Sequence, residues 1–168
     1  MERRGALSRR YTIVAITAYD WGHNAAAWHS MRSPEGMVTS SNARTRIVIV
    51  VEDDRPIGEL LAGVINDEDG YRAILVTRPT EALRTCAQVK PDLLVLDVGL
   101  PGMSGLELYD RLHQDERLRR VPVIFETAIS REYGPEFRKR GIRKVLQKPF
   151  DLNELIADIK ELAPPIAA

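Results

Sequence analysis

Glu52-Asp53-Asp54, Asp97, Thr127 and Lys148 are the residues of this chain whose types and spacing could support chemistry. Carboxylates brought together repel one another, and their pKa values rise unless a cation neutralises them. Hard oxygen donors of this kind, with a backbone carbonyl and waters, suit Mg²⁺. A lysine adds fixed positive charge and a threonine adds a hydroxyl donor. Such a set could hold a dianionic phosphoryl group on a carboxylate oxygen, because an aspartate can act as nucleophile toward phosphorus and form an acyl phosphate. Metal and lysine would stabilise the charge spread over the transferring oxygens. Each piece alone is weak. An acidic run is most often a solvated helix start, and a lone Thr or Lys-Pro is more often structural than chemical.

Weight comes from the elements that must position these groups. Ile47 to Val51 is a continuous β-branched run, as expected of a central strand covered on both faces. A helix follows Pro56, with Ile57, Leu60, Leu61, Val64 and Ile65 on one face. The pattern then repeats: strand Arg72 to Val76, helix from Pro79, strand Leu93 to Leu96, helix from Ser104, strand Val121 to Phe125, helix Glu132 to Arg140, strand Arg143 to Gln147. A last helix opens at Asp151, with Glu154 three residues on in a capping-box-like pairing. Five βα units predict an α/β fold: a flavodoxin-like (βα)5, doubly wound parallel sheet with strand order 2-1-3-4-5. In that order strands one and three meet at the switch point, where ligands bind at the carboxyl ends. Glu52, Asp53 and Asp97 are therefore expected in one crevice, with Thr127 and Lys148 on its far wall.

The residues Val50-Val51-Glu52-Asp53-Asp54, Leu94-Val95-Leu96-Asp97-Val98-Gly99-Leu100-Pro101-Gly102-Met103-Ser104-Gly105, Thr127-Ala128 and Lys148-Pro149-Phe150 resemble the receiver domain of two-component response regulators. The resemblance covers about 46 to 163. It implies that Asp97 is the phosphoacceptor and that Asp53 is the direct Mg²⁺ ligand. Glu52 would be the neighbouring acid that acts through water, and Gly99 would lend its backbone carbonyl. It further implies that Thr127 is the switch hydroxyl, Lys148 the salt-bridging lysine, and Pro149 a proline preceded by a cis bond. Implied partners are a sensor histidine kinase or histidine phosphotransfer protein as phosphoryl donor and a downstream protein target. A phosphorylation-dependent homodimer is a further output of that class. The chain is then a signalling phosphoacceptor of the stand-alone, single-domain type rather than an enzyme, and a cytoplasmic one. The alternative is a pseudo-receiver, an interaction module that keeps the fold without regulated phosphorylation.

Two positions depart from the family pattern, and two more bear on the lifetime of an acyl phosphate. Val145 stands where Tyr or Phe is usual, so the common coupling of threonine to an aromatic ring cannot operate in that form. Glu126 replaces a branched apolar residue and is expected to be exposed or paired with Arg or Lys, since a buried unpaired carboxylate is costly. Ile129 and Gly99, two residues after Thr127 and Asp97, cannot orient a water through a side-chain hydrogen bond. Slow self-dephosphorylation is the expectation, with Ile129 shielding the phosphoryl group.

Composition sets the outer limits. The chain has 168 residues with 24 Lys plus Arg against 24 Asp plus Glu, and zero net charge gives no reason to expect nucleic-acid binding. One cysteine, Cys86, excludes an internal disulfide framework and is expected to be a packing residue. No apolar run reaches the length of a membrane-spanning helix. Residues 1–45 carry six basic and three acidic residues, and the remainder 18 and 21. This arm reads as a basic, disordered extension, or as lying upstream of a start at Met31 or Met37. A secretory signal is disfavoured, because Asp20, Trp21 and His23 interrupt its apolar region. Residues 46–163 form the domain and 164–168 a short tail. The basic cluster Arg138, Lys139, Arg140, Arg143 and Lys144 reads as a solvated or partner-docking face, and His113 as exposed.

Overall fold

Residue 92 illustrates how this sheet is keyed at its start. The Asp92 carboxylate accepts the Ile47 N–H (2.9 Å) and pairs with the Arg46 guanidinium (2.7 Å). This locks the beginning of strand β1 (Arg46–Val51) beside that of β3 (Leu93–Asp97). The chain's computed structural model describes residues 45–128 and 130–166, without the side chains of Ser130 and Arg131. The expectations for residues 1–44 and for Ile129 lie outside the described residues.

The other elements are α1 (Arg55–Asn66), β2 (Tyr71–Val76), α2 (Pro79–Gln88), α3 (Gly105–Leu112), β4 (Val123–Thr127), α4 (Ser130–Lys139), β5 (Lys144–Gln147) and α5 (Leu152–Leu162). All strands are parallel, in the order β2-β1-β3-β4-β5. Alternate residues point to opposite faces of each strand. Val48, Val50, Leu93, Val95, Ile124 and Leu146 therefore pack under α1 and α5. Ile49, Val51, Leu94, Leu96 and Phe125 pack on the other side, with α2, α3 and Phe137 of α4. Cys86 is buried there and unpaired, as expected of a packing residue.

Strand β4 and helix α4 differ most from the sequence reading. Strand β4 runs from Val123 to Thr127 rather than from Val121 to Phe125. Pro122 has no N–H to donate, and only its carbonyl joins the ladder, accepting from Leu94 N–H (3.0 Å). At the other end Glu126 and Thr127 stay paired, in register with Asp97 and Gln147. The helix α4 starts at Ser130 and carries Pro135 inside it. The reciprocal capping box occurs at α3, between Ser104 and Glu107, whereas Asp151 of α5 accepts from Asn153 N–H (2.8 Å). His113 is half-buried rather than exposed, with its ring 3.8 Å from that of Tyr109.

Gly105 is the glycine that the site cannot do without. A Cβ at this position would lie 2.1 Å from the Asp97 carbonyl oxygen, against backbone that cannot swing aside. Gly105→Ala is expected to cost about 2–3 kcal/mol through overpacking. Urea unfolding checks this, and displacement of the Asp97 amide resonance would report the same strain at the site.

Candidate functional site

The acidic run after β1 divides into three tasks. Glu52 turns inward and is 2% exposed, Asp53 is exposed, and Asp54 caps α1 by accepting the Ile57 N–H (3.2 Å). Asp54 also donates its own N–H to Glu52 Oε1 (3.1 Å), which fixes the inward acid. Sequence reasoning grouped Asp54 with the acids and missed this orienting role. An Asp just before Arg55-Pro56 was the available signal, since Pro favours the first helical turn.

Asp97 ends β3, beside β1, and is 7% exposed. Oxygen atoms of Glu52, Asp53 and Asp97 lie within 4.8 Å of one another. Gly99 closes over the acceptor: a Cβ there would stand 3.1 Å from Asp97 Oδ2, so any larger residue would crowd that carboxylate. Lys148 reaches in from the end of β5. Its ammonium donates to Glu52 Oε2 (2.5 Å) and Asp97 Oδ1 (3.2 Å), and lies 3.8 Å from Glu126 Oε2. The Lys148–Pro149 peptide bond is cis. Thr127 is buried at the end of β4, and its carbonyl accepts the Lys148 N–H (2.8 Å).

Glu52, Asp53, Asp97, Thr127 and Lys148 are thus brought to one end of the sheet, at the β1–β3 switch point. The electrostatics are strained by burial. Desolvation pushes the Glu52 carboxyl above its ordinary range, against the pull of Lys148. Lys148 is held above its usual range, because the surrounding carboxylates outweigh its own desolvation.

Of the two arrangements expected for Glu126, exposure or pairing with a basic residue, the structure has the second. Glu126 is not exposed: none of its surface reaches solvent, and neither carboxylate oxygen has a hydrogen-bond partner. Its pairing is with Lys148, as a charge neighbour and not through a hydrogen bond. Strand alternation is the reason. Glu126 falls on the same face as Ile124, under α1 and α5, while Thr127 shares the face of Phe125. Burial drives its carboxyl up to about 8, with Lys148 opposing.

Val145 is half-buried, in register with Phe125, and packs against the core on the α3 and α4 side. In the basic cluster, Arg140 is clamped by Asp110 (2.7 Å) and Glu136 (2.5 Å). Lys144 is clamped by Asp158 (2.6 Å) and Glu161 (2.8 Å). Two of the five cations are therefore committed within the fold, which removes them from any nucleic-acid patch.

The donor set suits a hard divalent cation. Three carboxylates converge at the strand ends, and the Lys148 ammonium already bridges two of them. A cation, a nucleophilic carboxylate and a fixed ammonium in one crevice can transfer and hold a phosphoryl group.

The response regulator receiver domain family model matches residues 48–160. The polar-differentiation response regulator DivK of Brucella abortus (strain 2308) is 35% identical over 117 residues, which cover 69% of this chain and 94% of that protein. The receiver domain of Francisella response regulator 1452 superposes with a TM-score of 0.64 at 28% identity, over 71% of this chain and 97% of that one. Response regulator TrrA of Thermotoga maritima, solved in complex with Mg(2+)-BeF, superposes with a TM-score of 0.62 at 28% identity, over 70% and 99%.

Proposed function

Because the chain belongs to the response regulator receiver domain family, we propose that Asp97 accepts a phosphoryl group from a histidine kinase or histidine phosphotransfer protein. The observation that carries this reading is the convergence of Glu52, Asp53 and Asp97 around Lys148. Glu52, Asp53, Asp97 and the Gly99 carbonyl would hold Mg²⁺, whose charge offsets that of the transferring oxygens when it is bound. The complex of Thermotoga maritima TrrA with Mg(2+)-BeF supports an ion of this class.

An Asp97 carboxylate oxygen attacks phosphorus, the new O–P bond forms, the donor's N–P bond breaks, and the imidazole leaves with its electron pair. Gly99 leaves room beside Asp97 for the incoming group. Lys148 supplies positive charge at Asp97 Oδ1, and Thr127 offers a hydroxyl at the end of the neighbouring strand. Ile129 follows two residues later, and its apolar side chain together with Gly99 gives no water-orienting group, so the acyl phosphate is long-lived. Pro149 sets the direction from which Lys148 enters. With Val145 in place of an aromatic ring, output proceeds through a protein target or a phosphorylation-dependent homodimer by a route that needs no ring rotation. The chain acts as a cytoplasmic signalling phosphoacceptor. Among the described residues no helix is long and apolar enough to cross a membrane.

Incubation with acetyl phosphate and Mg²⁺ tests the proposal by intact mass. Addition of one phosphoryl group, abolished by a chelator, is the expected result. An unmodified mass under both conditions would favour the pseudo-receiver reading, for which the buried Glu126 is the relevant observation.

A further inference from the structure

Glu126 is the acidic side chain in this pocket that the chemistry above leaves without a task. It is wholly buried, both its oxygens lack hydrogen-bond partners, and the charged groups that act on it are Lys148, Glu52 and Asp97. A buried orphan of this kind normally costs stability, so its position calls for a physical reason. An ammonium has three N–H donors. In Lys148 they serve Glu52 at 2.5 Å and Asp97 at 3.2 Å, with Glu126 Oε2 next at 3.8 Å.

Those three carboxylates are not equivalent. Glu52 and Asp97 belong with Asp53 to the set that could hold a cation, and Glu126 does not. A divalent ion arriving at that set withdraws both present partners of Lys148 and repels its ammonium. Glu126 is then the acceptor within a small rotation of the side chain. It lies on the α1 and α5 face of the sheet, away from Thr127 and the mouth of the crevice.

We infer that Glu126 is a positioning residue, which takes over the Lys148 ammonium and so frees Glu52 and Asp97 for the cation while keeping the lysine beside the acceptor. This rests on the reading in which Glu52, Asp53 and Asp97 hold Mg²⁺. Without Glu126 the lysine stays on Glu52 and Asp97 and competes directly with the ion. In a chain lacking Lys148, Glu126 has no cation to move.

The test is a double-mutant cycle on Mg²⁺ affinity, by titration calorimetry of the full chain with MgCl₂, with the Asp53 and Val98 amide resonances as a second readout. Glu126→Val is expected to weaken Mg²⁺ binding about fivefold or more in the otherwise unchanged chain. In the Lys148→Met background it is expected to have no effect. Glu126→Gln keeps an acceptor oxygen and is expected to fall between Glu126 and Val. Thermal unfolding of each variant confirms that folded protein is compared. An unchanged affinity in Glu126→Val overturns the inference, and so does equal weakening in both backgrounds, which would assign the effect to direct attraction between Glu126 and the ion. A parent chain that binds no Mg²⁺ and gains no phosphoryl group removes the proposed function itself, an outcome distinct from either.

Discussion

Lys148→Met is expected to lower stability by about 3–5 kcal/mol near pH 8 and to slow phosphoryl uptake at Asp97 roughly a hundredfold or more. Methionine keeps the apolar stem of the side chain but removes the ammonium. Glu52, Asp97 and Glu126 would then face one another with their shared counter-charge gone. Burial already raises Glu52 and Glu126, and without the lysine both rise further. An acid whose folded pKa is raised takes up a proton on folding, so its penalty is absent below the unfolded pKa and grows as pH rises toward the folded one. The deficit of Lys148→Met is therefore smallest near pH 4 and largest above about pH 8. Mg²⁺ is expected to offset part of it by supplying the missing charge. Urea unfolding at both pH values, with and without MgCl₂, measures all three trends. An unfolding midpoint near pH 8 equal to that of the parent would remove Lys148 as the counter-ion.

Glu126→Val is expected to act in the opposite direction and to stabilise the fold. Valine is β-branched, close in volume to glutamate, and suited to a covered strand. Lys148 retains Glu52 and Asp97 as partners, so the substitution orphans no charge. The sign with pH follows from the carboxyl standing at about 8 in the fold against 4.5 as its ordinary value. Below the ordinary value Glu126 is protonated in both folded and unfolded chains, and only its missing hydrogen bonds count, about 1 kcal/mol. Between the two values the unfolded chain gains by ionising and the folded chain does not, so the advantage of valine widens. Above about pH 8 the gain is expected to level off at roughly 5 kcal/mol. Chemical denaturation of both proteins across this range gives the difference directly. A gain that stays flat with pH would show that folding does not raise the Glu126 carboxyl.

A substitution that stabilises the fold while weakening Mg²⁺ binding is the usual signature of a residue kept for function at the expense of stability. That combination separates Glu126 from an ordinary packing defect, which would move stability alone.

The architecture was legible because its central strands are covered on both faces. Ile47–Val51 and Leu93–Leu96 are unbroken apolar runs, the pattern of strands covered on both faces of a parallel sheet. Once five units are counted, the switch-point rule places Glu52, Asp53 and Asp97 together, with Lys148 at the end of β5. The far end of β4 was harder. Glutamate and threonine after Phe125 look like the start of a loop, and only their ladder partners Asp97 and Gln147 keep them in the sheet. The burial of Glu126 follows from the same ladder, since whether a strand residue faces α1 and α5 or the crevice depends on register. Asp54 was obscured for a different reason. Three acids in a row look alike in sequence, and the difference between exposed acid, inward acid and helix cap lies in backbone direction. The need for glycine at position 105 comes from an approach to the Asp97 carbonyl that local sequence does not encode.

The most direct test of the central claim is to trap the acyl phosphate chemically and locate it. The chain would be treated with acetyl phosphate, reduced with borohydride to convert any aspartyl phosphate to homoserine, and mapped by peptide mass spectrometry. Conversion at residue 97 alone, present with Mg²⁺ and absent with a chelator, is the expected result. Conversion at another carboxylate, or at Asp97 to the same extent without a divalent cation, would contradict the assignment of the acceptor and of the ion that serves it.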